Sequence, residues 1–127
     1  MSDVVKGGLT LVDRVAGALW GMLIADALSM PSHWFYGGND QVRRVFGRNI
    51  SSYVAPPAKF PESIMSLSST SGAGRGTSDG DIIGSVINHG KKHYWQRGAG
   101  HHYHCTLRAG ENTLEGEMAR LAMRHIL

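Results

Sequence analysis

Cysteine is nearly absent: Cys105 is the only one in 127 residues. That excludes an internal disulfide framework and makes a reducing compartment, the cytoplasm, the expected location. A long apolar run is missing too. The longest, over 15–30, is interrupted by Gly17, Gly21 and Asp26, so it reads as a buried helix and not as a membrane span. Met1-Ser2-Asp3 has no basic residue leading into an apolar stretch with a cleavage site, so no secretory signal is read. Dense charge is also lacking. The net charge is +3 and the nearest thing to a basic run is Lys91-Lys92. This mild balance favours phosphate-bearing partners without marking a nucleic-acid tail, so no nucleic-acid partner is expected. No Gly-Lys-Ser/Thr, Cys-x-x-Cys or His-Glu-x-x-His pattern occurs, which removes the usual nucleotide-loop and zinc signatures.

What is present reads as helix. One domain spanning 1–127 fits the length, and 42% hydrophobic residues can build a core. Thr10 is placed to cap a helix with Asp13 in its first turn. Val12, Val15, Ala16, Leu19, Trp20, Leu23, Ile24, Ala27 and Leu28 then repeat at helical spacing as one broad face. Gly17, Gly21 and Ala25 form a second stripe that implies a close approach, since glycine costs about 1 kcal/mol in a helix relative to alanine. Ser29-Met30-Pro31 ends the helix. The rings of His33-Trp34-Phe35-Tyr36 read as a core anchor or as a stacking surface for a base, and a turn over 37–40 leads into a short helix over 41–46.

The middle is irregular. Pro56, Pro57 and Pro61 preclude a continuous element, and a long Gly/Pro/Ser-rich segment follows. Its glycine-rich part, 71–81, reads as a flexible loop whose backbone N–H groups could also cradle a phosphate, with Arg75 adding charge. Asp81 can cap a short helix over 82–90. In His101-His102-Tyr103-His104-Cys105, alternation would put His102 and His104 on one face and His101 and Cys105 on the other. That spacing invites zinc or thiol chemistry but completes no tetrahedral set.

Near the end, Glu111, Asn112 and Thr113 crowd three oxygen-bearing side chains against a helix start. One reading is a capped helix, with Asn112 or Thr113 as N-cap, Glu115 in a capping box, and Leu114, Met118 and Leu121 on the apolar face. The other is a ligand cluster, because carboxylate, amide and hydroxyl oxygens suit a hard cation such as Mg²⁺. The helical pattern still runs at Leu127, so a partner or a further C-terminal half covering that helix is expected.

The stretch from Arg14 to Pro31, with Ala25-Asp26-Ala27-Leu28-Ser29 at its centre, resembles the opening helix of the ADP-ribosylglycohydrolase family, whose members read Gly-Asp-Ala-Leu-Gly there. Gly110-Glu111-Asn112-Thr113 occupies the place of that family's Thr-Asp-Asp-Thr motif. Gly110 stands for the first threonine, Glu111 and Asn112 for the two aspartates, and Thr113 matches. His33 sits where relatives often carry a glutamate. The resemblance runs from about Asp13 to the end and implies an all-α chain, the N-terminal portion of a compact helical domain whose remaining metal ligands lie in a second half. It implies hydrolysis of the N- or O-glycosidic bond between ADP-ribose and a protein or small acceptor, with two Mg²⁺ (or Mn²⁺) ions. The implied roles are catalytic for Glu111 and Asp26, metal-binding for Glu111, Asn112 and Thr113, and diphosphate-binding for Gly74, Arg75 and Gly76. The alternative is a non-catalytic ADP-ribose-binding pseudoenzyme or a truncated fragment.

Overall fold

The computed structural model describes residues 8–60, 62, 94 and 100–126. Among them the elements are α1 (Leu11–Ser29), a 3₁₀ turn (Met30–Ser32), α2 (Gly38–Phe46) and α3 (Leu114–Ile126). The architecture is helical. No strand occurs among the described residues, and a β-bridge pairs Lys59 with His101. None of these helices is long and apolar enough to cross a membrane. The glycine-rich loop with Gly74, Arg75 and Gly76, and the short helix expected over 82–90, lie outside the described residues.

The start of α1 is set locally. The Asp13 N–H donates to the Thr10 hydroxyl oxygen (3.1 Å), and the Thr10 N–H donates to the Asp13 carboxylate (2.9 Å). This closes a capping box, which satisfies two donors that the first turn leaves free. Replacing Thr10 by alanine is expected to cost about 1 kcal/mol. Thermal unfolding of Thr10→Ala reads this, and an unchanged midpoint would show that the cap contributes nothing. At the other end the chain tightens into a 3₁₀ turn. Pro31 sits near the start of that turn, where its missing N–H is not needed.

α2 begins at Gly38, earlier than the expected start at Gln41. Asp40 in its first turn and Arg43 and Arg44 in its last complement the helix dipole. It stops at Gly47, whose φ of 71° suits glycine. Gln41 is buried and spans two segments: its carbonyl accepts from the Gly37 N–H and its amide donates to Glu62, both at 2.7 Å.

Among the described residues the core is small and lies beyond the C-terminal end of α1. Met30, Pro31, Phe35 and Phe60 are buried. Phe35 and Phe60 stack with centroids 4.2 Å apart, and His102 meets Phe35 edge-on. The 58–60 segment is clipped to 100–102 by backbone bonds Phe60 N–H to Gly100 C=O (2.6 Å) and His102 N–H to Ala58 C=O (3.3 Å). The aromatic segment thus supplies one core anchor, Phe35. Trp34, at a φ of 67°, is half-buried and lies against Tyr103, centroids 4.6 Å apart.

Two expectations about faces are corrected. The broad apolar face of α1 is largely in the open: Ala27 is the buried residue of that helix, and Trp20 is 67% exposed. A methyl group at Gly17 or Gly21 would meet nothing within 4 Å, so among the described residues that stripe makes no close approach. On α3 the side turned inward is not that of Leu114, Met118 and Leu121, all exposed. It carries Gly116, whose missing side chain lets α3 close on Asp26. A residue with no Cβ can approach a neighbouring helix more closely than any leucine.

Candidate functional site

The closest contact between α1 and α3 is built on Asp26. The Thr113 N–H and the Asn112 side-chain amide donate to its Oδ2 at 2.8 and 2.9 Å. The Thr113 hydroxyl lies 2.5 Å from its Oδ1. Asn112 also donates to the Leu23 carbonyl at 2.7 Å. Both of its partners are acceptors, which fixes the amide with its nitrogen toward α1. The side chains expected to cap α3 therefore reach across 86–89 residues of sequence to another helix.

A second carboxylate completes the cluster. Glu115 Oε2 is 2.8 Å from the same Thr113 hydroxyl. That hydroxyl has one proton and two carboxylate neighbours, so one contact sets lone pair against lone pair. Burial pushes the Asp26 carboxyl up, but bonds from the Thr113 hydroxyl and amide and from Asn112 outweigh it, and the net direction is down. Glu115 is also lowered, chiefly by the Thr113 hydroxyl. Both are ionised at neutral pH.

Above the cluster is a pocket of about 340 Å³, lined by Asp26, Ser29, Met30, Ser32, His33, Thr113 and Glu115. The Ser29 and Ser32 hydroxyls donate to the backbone carbonyls of Asp26 and Ser29 (3.2 and 3.0 Å), which leaves their oxygens free to accept. Two carboxylates, three hydroxyls and an imidazole thus converge on one cavity, a chemistry suited to a polyhydroxylated ligand or a hard cation.

The expected residues divide. Asp26, Asn112 and Thr113 meet. Glu111 lies apart from them: its carboxylate takes the Arg108 N–H and guanidinium at 2.8 Å, and those bonds, the backbone one first, hold its pKa low. Asn112 gives the cluster a nitrogen and not an oxygen. Among the described residues no three His, Cys, Asp or Glu side chains form a metal-holding group, so the oxygens that suit a hard cation are those of Asp26, Glu115 and Thr113. The histidine run supplies no zinc set either. His101 turns to Lys59 (3.2 Å), while His102 and His104 are buried at 2% and 7% exposure.

Those two histidines connect with His33. Its Nδ1 lies 2.6 Å from His104 Nε2. The His104 backbone N–H donates to His102 Nδ1 at 3.0 Å, so the proton of the neutral His102 ring sits on Nε2. That nitrogen is buried without a hydrogen bond of good geometry, although the Pro31 carbonyl is near enough to pull the pKa up. Burial dominates for all three rings. It lowers His33, which Glu115 and Asp26 partly restore, and it lowers His102 and His104 to about 4.

Sequence reasoning passed over Gly116 and His104 as parts of this site, noted His33 only as standing where relatives carry a glutamate, and placed Glu115 only as a cap residue. A glycine at the third position of the helix that Asn112 and Thr113 lead into was the available signal for a close approach. The chain matches no family model, no curated protein and no solved structure.

Proposed function

We propose that this chain belongs to a hydrolase resembling the ADP-ribosylglycohydrolases, acting on the glycosidic bond of ADP-ribose attached to a protein or small acceptor. The observation that carries the reading is the meeting of its two distant motifs. Asp26 of the opening helix and Asn112-Thr113 of the later one join through three hydrogen bonds beneath a polar pocket. The pocket's hydroxyl and carboxylate acceptors suit the hydroxyl donors of a ribose ring. Asp26, Thr113 and Glu115 would hold Mg²⁺. When bound, that ion would neutralise the paired carboxylates and supply Lewis acidity toward substrate oxygens. The chain's own part is to bind and orient the sugar: the Thr113 amide and Asn112 fix Asp26, and Asp26 in turn ties α1 to α3.

A second reading, ADP-ribose binding without turnover, is favoured by the engagement of Glu111 with Arg108 and by the nitrogen that Asn112 presents. A thermal-shift titration separates the two. ADP-ribose that stabilises the chain only with Mg²⁺, with release of ADP-ribose from modified protein, supports the hydrolase. Stabilisation indifferent to Mg²⁺ and without release supports the binder. No shift under either condition sinks both. Glu115→Gln changes an exposed side chain and is expected to remove the Mg²⁺ requirement of the shift while leaving the unfolding midpoint of the free chain in place.

A further inference from the structure

The carboxylates of the pocket are poor proton acceptors. Asp26 takes the Thr113 and Asn112 N–H groups, and the single Thr113 hydroxyl proton goes to one of the two carboxylates; a carboxylate bonded in this way is stabilised as the anion and loses basicity. Serine and threonine hydroxyls are not bases near neutral pH. The remaining candidate in the lining is His33, whose ring borders the pocket.

The surroundings of that ring allow the tautomer that a base needs. Two ring nitrogens 2.6 Å apart hold one proton between them, one as donor and one as acceptor. His104 is buried and neutral, so it can serve as the acceptor for a proton on His33 Nδ1. The neutral His33 ring then carries its lone pair on Nε2, and no hydrogen bond among the described residues engages that nitrogen. The ring is kept in plane by edge-on contacts with Trp34 and Tyr103, centroids 5.2 and 5.4 Å away. Trp34 reaches this position through its left-handed backbone, a conformation unfavourable for an L-residue that persists only where surrounding contacts impose it.

We propose that His33 is the proton acceptor of the Asp26 pocket and that His104 is the positioning residue that fixes its tautomer. The inference rests on the hydrolase reading. In the step it serves, the oxygen of a water bonds to the anomeric carbon as the glycosidic bond breaks. One water proton passes to His33 Nε2. The electron pair of the broken bond leaves with the acceptor heteroatom, which takes a proton back from His33, so the imidazole ends neutral and the products are ADP-ribose and the protonated acceptor.

The experiment is release of ADP-ribose from a mono-ADP-ribosylated protein by the full chain, alongside ADP-ribose binding and far-UV circular dichroism. General-base catalysis contributes roughly 10²–10⁴-fold. His33→Ala is therefore expected to lower kcat by about 100-fold or more, with ADP-ribose affinity kept and part of the rate restored by added imidazole. His33→Gln, which retains a side chain able to bond His104, shows the same loss. His104→Phe leaves His33 untethered and loses less, on the order of 10-fold, with no rescue by imidazole. Wild-type kcat in folded His33→Ala or His33→Gln overturns the assignment while the hydrolase reading stands. No release by the wild-type chain overturns the hydrolase reading and this assignment with it.

Discussion

Alanine at Gly116 is expected to destabilise the chain, and alanine at Gly17 to stabilise it, although both glycines lie inside helices. The intrinsic term has the same sign at both positions: alanine is better than glycine in a helix by about 1 kcal/mol. The surroundings decide the outcome. A Cβ at 116 would stand 2.5 Å from Asp26 Oδ2, 2.8 Å from Asn112 Cβ and 3.1 Å from Asn112 Cγ, whereas among the described residues one at 17 meets nothing within 4 Å. The obstructing carboxylate is the hub that accepts from Thr113 and Asn112, so it cannot swing away without breaking those bonds. Overpacking of this kind costs about 1–3 kcal/mol, and hydrogen bonds to a charged group contribute about 1.5–3 kcal/mol each. Together these outweigh the helix gain. Urea unfolding is expected to place Gly116→Ala about 1–3 kcal/mol below wild type and Gly17→Ala up to about 1 kcal/mol above it. If Gly116→Ala is as stable as Gly17→Ala, α3 does not close on Asp26 as described. Because Asp26 floors the pocket, Gly116→Ala is also expected to lose ADP-ribose stabilisation, and Gly17→Ala to keep it.

The sequence is legible where the cause of a structure is local. The capping box needs only Thr10 and Asp13, three residues apart, and both α1 and its 3₁₀ ending follow from that start and from Pro31. The glycine stop of α2 is equally short-range. Faces were harder. Apolar periodicity identifies which side of a helix prefers burial, but not what is there to bury it. In α3 the leucine and methionine side lies open, 72% at Leu114, because contact with α1 is made through Gly116, a residue with no hydrophobicity to read.

The site was legible in part for the same reason. Asp26, Asn112 and Thr113 stood out as polar groups at helix ends, yet their partners could not be assigned. Asn112 and Thr113 were as well suited to capping their own helix as to gripping another one. Local hydrogen bonding took Glu111 out of the cluster: the Arg108 N–H and guanidinium lie three residues back, nearer in sequence than any long-range partner. His33 and His104 meet across 71 residues. Neither has a neighbour in sequence that announces the other.

Acid is expected to undo the histidine cluster well before it reaches the carboxylates. His102 and His104 have pKa values near 4 in the folded chain against an ordinary 6.5, with burial the main cause and a neighbouring imidazole the next. The unfolded chain therefore binds protons that the folded one refuses. The stabilisation is whole above about pH 6.5 and is lost as the pH falls from there toward 4. For either ring the loss is on the order of 3 kcal/mol, and like-charge repulsion among His33, His102 and His104 makes the second proton harder to accommodate than the first. Asp26 and Glu115 oppose the effect, since both favour a charged ring at His104. Asp26 itself acts in a separate window. Its carboxyl lies below the ordinary 3.8, so its contribution is present above that value and fails only as the pH drops beneath it. The unfolding midpoint is thus expected to stay level from pH 8 to 7 and then decline steeply between pH 6.5 and 4. His102→Leu combined with His104→Gln replaces the two titrating rings with uncharged side chains, and is expected to flatten that limb while keeping the fall below pH 4. A wild-type midpoint that holds constant from pH 7 to 4.5 would mean that the rings accept protons without leaving their places, and that the loop carrying them is not held by their neutrality.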